Sequence, residues 1–200
     1  MNITKQDLFV TPVWEIQTEF DSYFNSILVN DIAELAKDGL QYNIWKSNKY
    51  SISRLKDKIF ECLDATVKDC FPQFNPYDPC ILDGWATKTD PGQSLAIHGH
   101  PHAVLVATYY AKCPENSGDL MLIDPRGPVN WDWQFDTIPR LVHGVCYKRI
   151  KPVESKLVIF PAYVMHTVDV NRASTERISV ASNISNNMSN IDFTSRPTNV

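Results

Sequence analysis

His98-Gly99-His100-Pro101-His102-Ala103-Val104-Leu105-Val106-Ala107-Thr108-Tyr109-Tyr110-Ala111 is the stretch on which the reading of the chain turns. Val104 to Ala111 is dense in branched and aromatic residues and too short for a typical helix, so it reads as a buried strand. Side chains on a strand alternate faces with period two, so His98 and His100 point the same way and can reach one metal ion. If the strand ran through Pro101 without a break, Val104, Val106, Thr108 and Tyr110 would share that face.

Working outward, the same signature recurs. Leu120 to Ile123, Val145 to Ile150, Leu157 to Phe160, Val164 to Val170 and Ile178 to Ile184 are short β-type runs separated by Gly, Pro, Asn and Asp. Upstream, Ile81 to Lys88 with Trp85 inside reads as another. Six or more strands within roughly 90 residues argue for a sandwich or barrel. With helices only upstream, the pattern fits a mainly β chain with N-terminal helices (α+β) around a double-stranded β-helix, the cupin-type jelly roll.

The first 80 residues supply an arm and two helices. Leu8 to Trp14 reads as a short strand whose Pro12 suits a sheet edge. Ile27, Leu28, Ile32, Leu35 and Ala36 recur at helical spacing before Gly39, and Ile52, Leu55, Ile59, Leu63 and Val67 form a clearer stripe. Both helices are expected on one face of the sheet. The expected organisation is one domain over 1–200: arm and supporting helices over 1–80, jelly-roll core over 81–185 and a mobile polar tail over 186–200. Asp124-Pro125-Arg126-Gly127-Pro128 and Trp131-Asp132-Trp133 read as one long loop or lid, with Asp124 to Arg126 shaping a turn.

A net charge of -4 argues against a nucleic-acid backbone as the main partner. No run of about 18 uncharged apolar residues is present, so no membrane-spanning helix is expected. The opening Met1-Asn2-Ile3-Thr4-Lys5-Gln6-Asp7 lacks the apolar centre of a signal peptide, and the five cysteines include no Cys-x-x-Cys pair. A cytoplasmic protein with reduced thiols is the expectation.

The chemistry lies in the histidines. His166 follows the buried run Leu157-Val158-Ile159-Phe160-Pro161, and Arg177 opens a strand on which Ser179, Ala181 and Asn183 share its face. Neutral imidazole suits iron, zinc, copper and nickel, and a pair on one strand with a third on a distant strand leaves coordination positions open. The planar guanidinium of Arg177 could receive the carboxylate of an acid that also chelates the metal. His102 and His143 read as structural histidines, and Trp85, Trp131 and Trp133 as packing or groove aromatics.

The order His98-Gly99-His100-Pro101, Tyr109-Tyr110, Ser117-Gly118-Asp119-Leu120 to Asp124-Pro125-Arg126, Leu157 to Pro161 with His166, and Arg177-Ile178-Ser179 with Asn183 resembles the 2-oxoglutarate and Fe(II)-dependent oxygenase superfamily. It is most similar to a branch from marine bacteria and their phages. The resemblance implies Fe(II) on His98, His100 and His166. It also implies 2-oxoglutarate with its far carboxylate on Arg177 and Ser179, and Tyr110 as a hydrogen-bond donor to it. The superfamily usually has a carboxylate where His100 stands, so Asp119, Asp124 or His102 are alternatives for the third ligand. The implied reaction is hydroxylation of a small-molecule or side-chain substrate by O2, with succinate and carbon dioxide as co-products. A three-histidine cupin-like dioxygenase that uses no keto acid, and a non-catalytic jelly-roll binding module, are the other function classes. A homodimer paired through edge strands is compatible with the fold.

Overall fold

The computed structural model describes residues 10–37, 43–70, 79–125 and 147–186. The expected lid from Arg126 onward with Trp131 and Trp133, His143, Gly39 and the tail after Asn186 lie outside the described residues.

Nine strands and two α-helices follow one another among these residues: β1 (Trp14–Gln17), α1 (Ser22–Lys37), α2 (Tyr50–Cys70), β2 (Pro79–Thr89), β3 (Leu95–His98), β4 (Leu105–Lys112), β5 (Leu120–Ile123), β6 (Tyr147–Ile150), β7 (Lys156–Pro161), β8 (His166–Val168) and β9 (Arg177–Asn186). A single 3-10 turn, Ile44–Lys46, precedes α2. Every described strand pairing is antiparallel. One sheet has the order β1-β7-β4-β9-β2, the other β3-β8-β5-β6. Strands distant in sequence lie side by side, as a jelly roll requires. The strand expected over Leu8 to Trp14 is corrected: Val10 to Val13 are not in a strand, the edge strand β1 begins only at Trp14, and Leu8 and Phe9 lie outside the described residues.

Alternation on the central strands divides the interior into two layers. Leu105, Ala107 and Tyr109 of β4 and Leu157 and Ile159 of β7 face the helices, while Val106, Tyr110, Val158 and Phe160 face the smaller sheet. The stripe of α2 is buried at Ile52, Leu55, Ile59 and Leu63. Burial of each such side chain contributes about 1.5–3 kcal/mol. In α1, Leu28, Ile32 and Leu35 are buried as expected, but Ile27 and Ala36 are not, and the polar Asn25 takes the place on the stripe. The Tyr109 hydroxyl donates to Asn25 Oδ1 at 2.7 Å, and Asn25 Nδ2 donates to Ser155 Oγ at 2.8 Å. A buried amide with its partners in place fixes how the helix sits on β4. Asp21 starts α1 by accepting a hydrogen bond from the Phe24 amide at 2.8 Å.

The strand expected over Val104 to Ala111 forms as β4, but the chain turns at Pro101, so the condition under which His98 and His100 would continue it is not met. His98 ends β3 in the smaller sheet, a turn follows at Pro101 and His102, and Leu105 begins β4 in the larger sheet. His102 takes φ 77, which a strand does not allow. His98 and Tyr110 still face one another, but across the space between two sheets.

Candidate metal centre

His98 and His166 are direct partners in the β3–β8 ladder, which brings together two residues 68 positions apart in sequence. His100 stands just past the end of β3, where its amide donates to the Ala162 carbonyl in the turn after β7. The three imidazoles each offer a nitrogen within 4.8 Å of the others. Their rings are close: centroids lie 4.3 Å apart for His98 and His166 and 5.0 Å for the parallel pair His100 and His166. Asp119, Asp124 and His102 do not join the cluster. Asp119 lies 3.7 Å from Arg149, and His102 is exposed.

The hydrogen bonds decide which nitrogens are free. His98 Nδ1 meets the Ala96 carbonyl at 2.8 Å, His166 Nδ1 the Val164 carbonyl at 3.0 Å, and His100 Nδ1 the Asn183 side-chain carbonyl at 2.7 Å. A carbonyl oxygen only accepts, so each Nδ1 carries the proton and each Nε2 presents a lone pair. Two of those lone pairs, on His100 and His166, face each other at 3.2 Å. Burial holds His166 well below the ordinary imidazole value, at about 4, and lowers His100 as well, so protonation does not relieve the confrontation at neutral pH. A divalent cation held by these nitrogens would relieve it.

Arg177, on β9, lies in the same cleft with Ser179, Tyr110, Thr108 and Thr87. It is 1% exposed. Its Nη1 donates to the Gly118 carbonyl at 3.1 Å and Nη2 to Thr89 Oγ1 at 3.2 Å, while Nε has no partner. No carboxylate pairs with it among the described residues. Glu176 is paired with Lys112 and Asp169 with Arg149. Burial lowers the guanidinium's proton affinity and raises that of the Tyr110 phenol, which stays a donor. A buried cation with an unused N–H in a cleft fits the carboxylate of a ligand.

The sequence reading placed His98, His100, His166, Arg177, Ser179 and Tyr110, and the fold brings all six to one cleft. Thr89 was not singled out, and Gly118 and Asn183, quoted within the resemblance, had no role assigned, though Gly118 and Thr89 hold Arg177; the shared face of Arg177, Ser179, Ala181 and Asn183 was the available signal for Asn183. Gly118 has φ 91, and a Cβ there would lie 2.2 Å from the Asp169 carbonyl oxygen. Gly118→Ala is therefore expected to destabilise the protein by about 2 kcal/mol or more and to weaken cosubstrate binding through Arg177, measured by thermal unfolding with and without 2-oxoglutarate.

Two facing sheets with a cluster of imidazole nitrogens and a buried arginine between them define a metal-dependent enzyme of the double-stranded β-helix class. The family model described as "Putative 2OG-Fe(II) oxygenase" matches residues 83–183. The chain belongs to this 2-oxoglutarate and Fe(II)-dependent oxygenase family, and is an oxidoreductase that uses Fe(II), 2-oxoglutarate and O2. A search of curated proteins returns no significant match. Among solved structures, a Pseudomonas putida prolyl-4-hydroxylase is similar at 16% identity and a TM-score of 0.62, over 90% of this chain and 91% of that one. The viral collagen prolyl hydroxylase of Paramecium Bursaria Chlorella virus-1 gives 16% and 0.60, over 92% and 98%. HygX from Streptomyces hygroscopicus, solved with nickel and 2-oxoglutarate bound, gives 11% and 0.61, over 88% and 83%. These likenesses establish the shared fold. No helix among the described residues is long and apolar enough to cross a membrane.

Proposed function

We propose that His98, His100 and His166 hold the Fe(II) through their Nε2 atoms, and that Arg177 and Ser179 receive the far carboxylate of 2-oxoglutarate with Tyr110 donating a hydrogen bond to it. The observation that carries this reading is the set of three Nδ1–H groups, each engaged by a carbonyl oxygen, which leaves three Nε2 lone pairs converging. With Fe(II) and 2-oxoglutarate bound, O2 would be the oxidant: one oxygen atom would go to 2-oxoglutarate, which leaves as succinate and carbon dioxide, and the other would hydroxylate a substrate C–H bond. The chain's part is to position and to dry. Arg177 fixes the keto acid at its far end, Tyr110 orients it, and Val106, Leu120 and Val168 line the cleft with apolar surface that keeps water out. Trp85, stacked on His100 at 5.6 Å, forms a wall of the same cleft and is a candidate contact for a small-molecule or side-chain substrate.

The setting that suits this chemistry is a reducing cytoplasm, consistent with the free thiols of Cys62 and Cys113. One domain spanning 1–200, and a homodimer through a sheet edge, are the organisation and assembly to test by limited proteolysis and light scattering. The test of the site is anaerobic addition of Fe(II) and then 2-oxoglutarate to the purified protein. A weak visible charge-transfer band is expected on the second addition. A bound metal with no band would favour a three-histidine dioxygenase that does not use the keto acid.

A further inference from the structure

The three histidines are held by unequal means. His98 and His166 take their Nδ1 acceptors from main-chain carbonyls two residues back, so local backbone sets their rings. His100, beyond the end of β3, depends on a side chain of another strand, Asn183 of β9.

Directly across the β2–β9 ladder from Asn183 stands Asp83. Paired residues of an antiparallel ladder share a face. Trp85 with Ala181 and Thr87 with Ser179 line the cleft, whereas Ala86 and Val180 pack on the helix side. Asp83 belongs to the first set only because the register shifts between Ile81 and Asp83. Ile81, opposite Ile184, packs on the helix side, and an unshifted strand would send Asp83 the same way. The bulge re-aims it toward the cleft. Its Oδ1 is buried with no hydrogen-bond partner among the described residues, on the residue paired with the Asn183 that holds His100. A desolvated, unpaired carboxylate oxygen is costly unless a positive charge stands nearby. Arg177, six positions from Asn183 along β9, donates to Gly118 and Thr89 and not to Asp83.

We propose that Asp83 and Asn183 are positioning residues for the metal: Asn183 fixes the His100 tautomer that frees Nε2, and Asp83 supplies from the outer sphere the negative charge that a three-histidine ligand set lacks. The inference rests on the ligand assignment proposed above. Three neutral imidazoles leave the full double charge of Fe(II) uncompensated, where a carboxylate ligand would cancel half of it. Asp83 restores that balance without occupying a coordination position. Partners of this kind typically account for 10–100-fold in metal affinity.

The test is titration of the metal-free, full-length protein with Co(II) at fixed pH, read by its visible absorption, alongside thermal unfolding of each metal-free variant. Asp83→Asn and Asn183→Leu are each expected to weaken Co(II) binding roughly 10–100-fold, with Asp83→Asn unfolding no earlier than wild type. The exchanged pair Asp83→Asn/Asn183→Asp keeps one acceptor and one charge beside His100, and is expected to recover most of the affinity. It also serves if Asn183→Leu fails to fold. Wild-type affinity in Asp83→Asn, while His166→Ala loses the metal, would overturn the proposal and leave the ligand assignment standing. An exchanged pair no tighter than Asp83→Asn would also overturn it. Wild-type protein that binds no Co(II) would remove both.

Discussion

Arg177→Leu is expected to abolish measurable 2-oxoglutarate binding while leaving the cosubstrate-free protein as stable as wild type, or more so. The two halves of this result come from one fact. Arg177 is 1% exposed, and among the described residues its Nε has no partner and its other donors meet only the Gly118 carbonyl and the Thr89 hydroxyl. A buried cation without a carboxylate costs stability in the free protein, and replacing buried charges with apolar groups is often neutral or stabilising by 1–4 kcal/mol. Leucine leaves the Gly118 carbonyl without this donor, which offsets part of the gain. On the proposed assignment the same desolvated guanidinium would make charge-assisted hydrogen bonds to the bound keto acid, and removing one partner of such a pair costs about 2–5 kcal/mol, roughly 30-fold to several thousandfold in affinity. Thermal unfolding with and without 2-oxoglutarate in the presence of Mn(II) reads both halves. A variant that is destabilised when free, yet still raised in melting temperature by 2-oxoglutarate, would make Arg177 a structural residue and move the anion site elsewhere.

His166→Ala should lose both metal and turnover, by more than the roughly 10–100-fold that changes outside the ligand set cost. His166 is 5% exposed and its Nε2 is 3.2 Å from that of His100. Its strand β8 lies between β3 and β5, and Phe160 packs edge-on to its ring at 5.0 Å. Alanine removes one of the three imidazoles proposed as ligands. It also removes one of the two opposed lone pairs, so the metal-free variant should unfold close to wild type in spite of the cavity. Equilibrium dialysis against Fe(II) under argon, paired with succinate release, measures the two losses. His100→Ala and Asp119→Asn complete the comparison: the first should lose the metal and the second retain it. The reverse pattern would return the third ligand to a carboxylate. His102→Ala, at an exposed turn, should change neither reading.

Much of this site could be read from the chain because its chemistry is carried by residue types at short spacings. The two histidines of His98-Gly99-His100 and the Arg177-Ile178-Ser179 step are local patterns, and β alternation is a local rule that survived folding on β9. It did not survive between His100 and Val104, where the turn at His102 takes the chain from one sheet to the other. Tyr110 nevertheless faces the histidines, since the sheets close on each other. Asp83 went unremarked within Ile81-Leu82-Asp83-Gly84-Trp85, although a charge amid apolar strand residues is itself a signal. Its facing depends on a register shift that no local periodicity reports.

The sequence by itself determined most of the strand runs, though not β3 at Leu95–His98 nor the short extent of β8, and with them the two helical stripes, the identity of the imidazole and guanidinium groups and their order along the chain, because each follows from side-chain size, polarity and period along a few residues. The tertiary structure alone decided that His98 pairs with His166 across 68 positions, that His100 leans on Asn183, that Gly118 and Thr89 cradle Arg177, and that a bulge turns Asp83 inward. Those relations are set by ladder register and by the packing of two sheets against each other, where the free energy of a pairing depends on residues far apart in the chain.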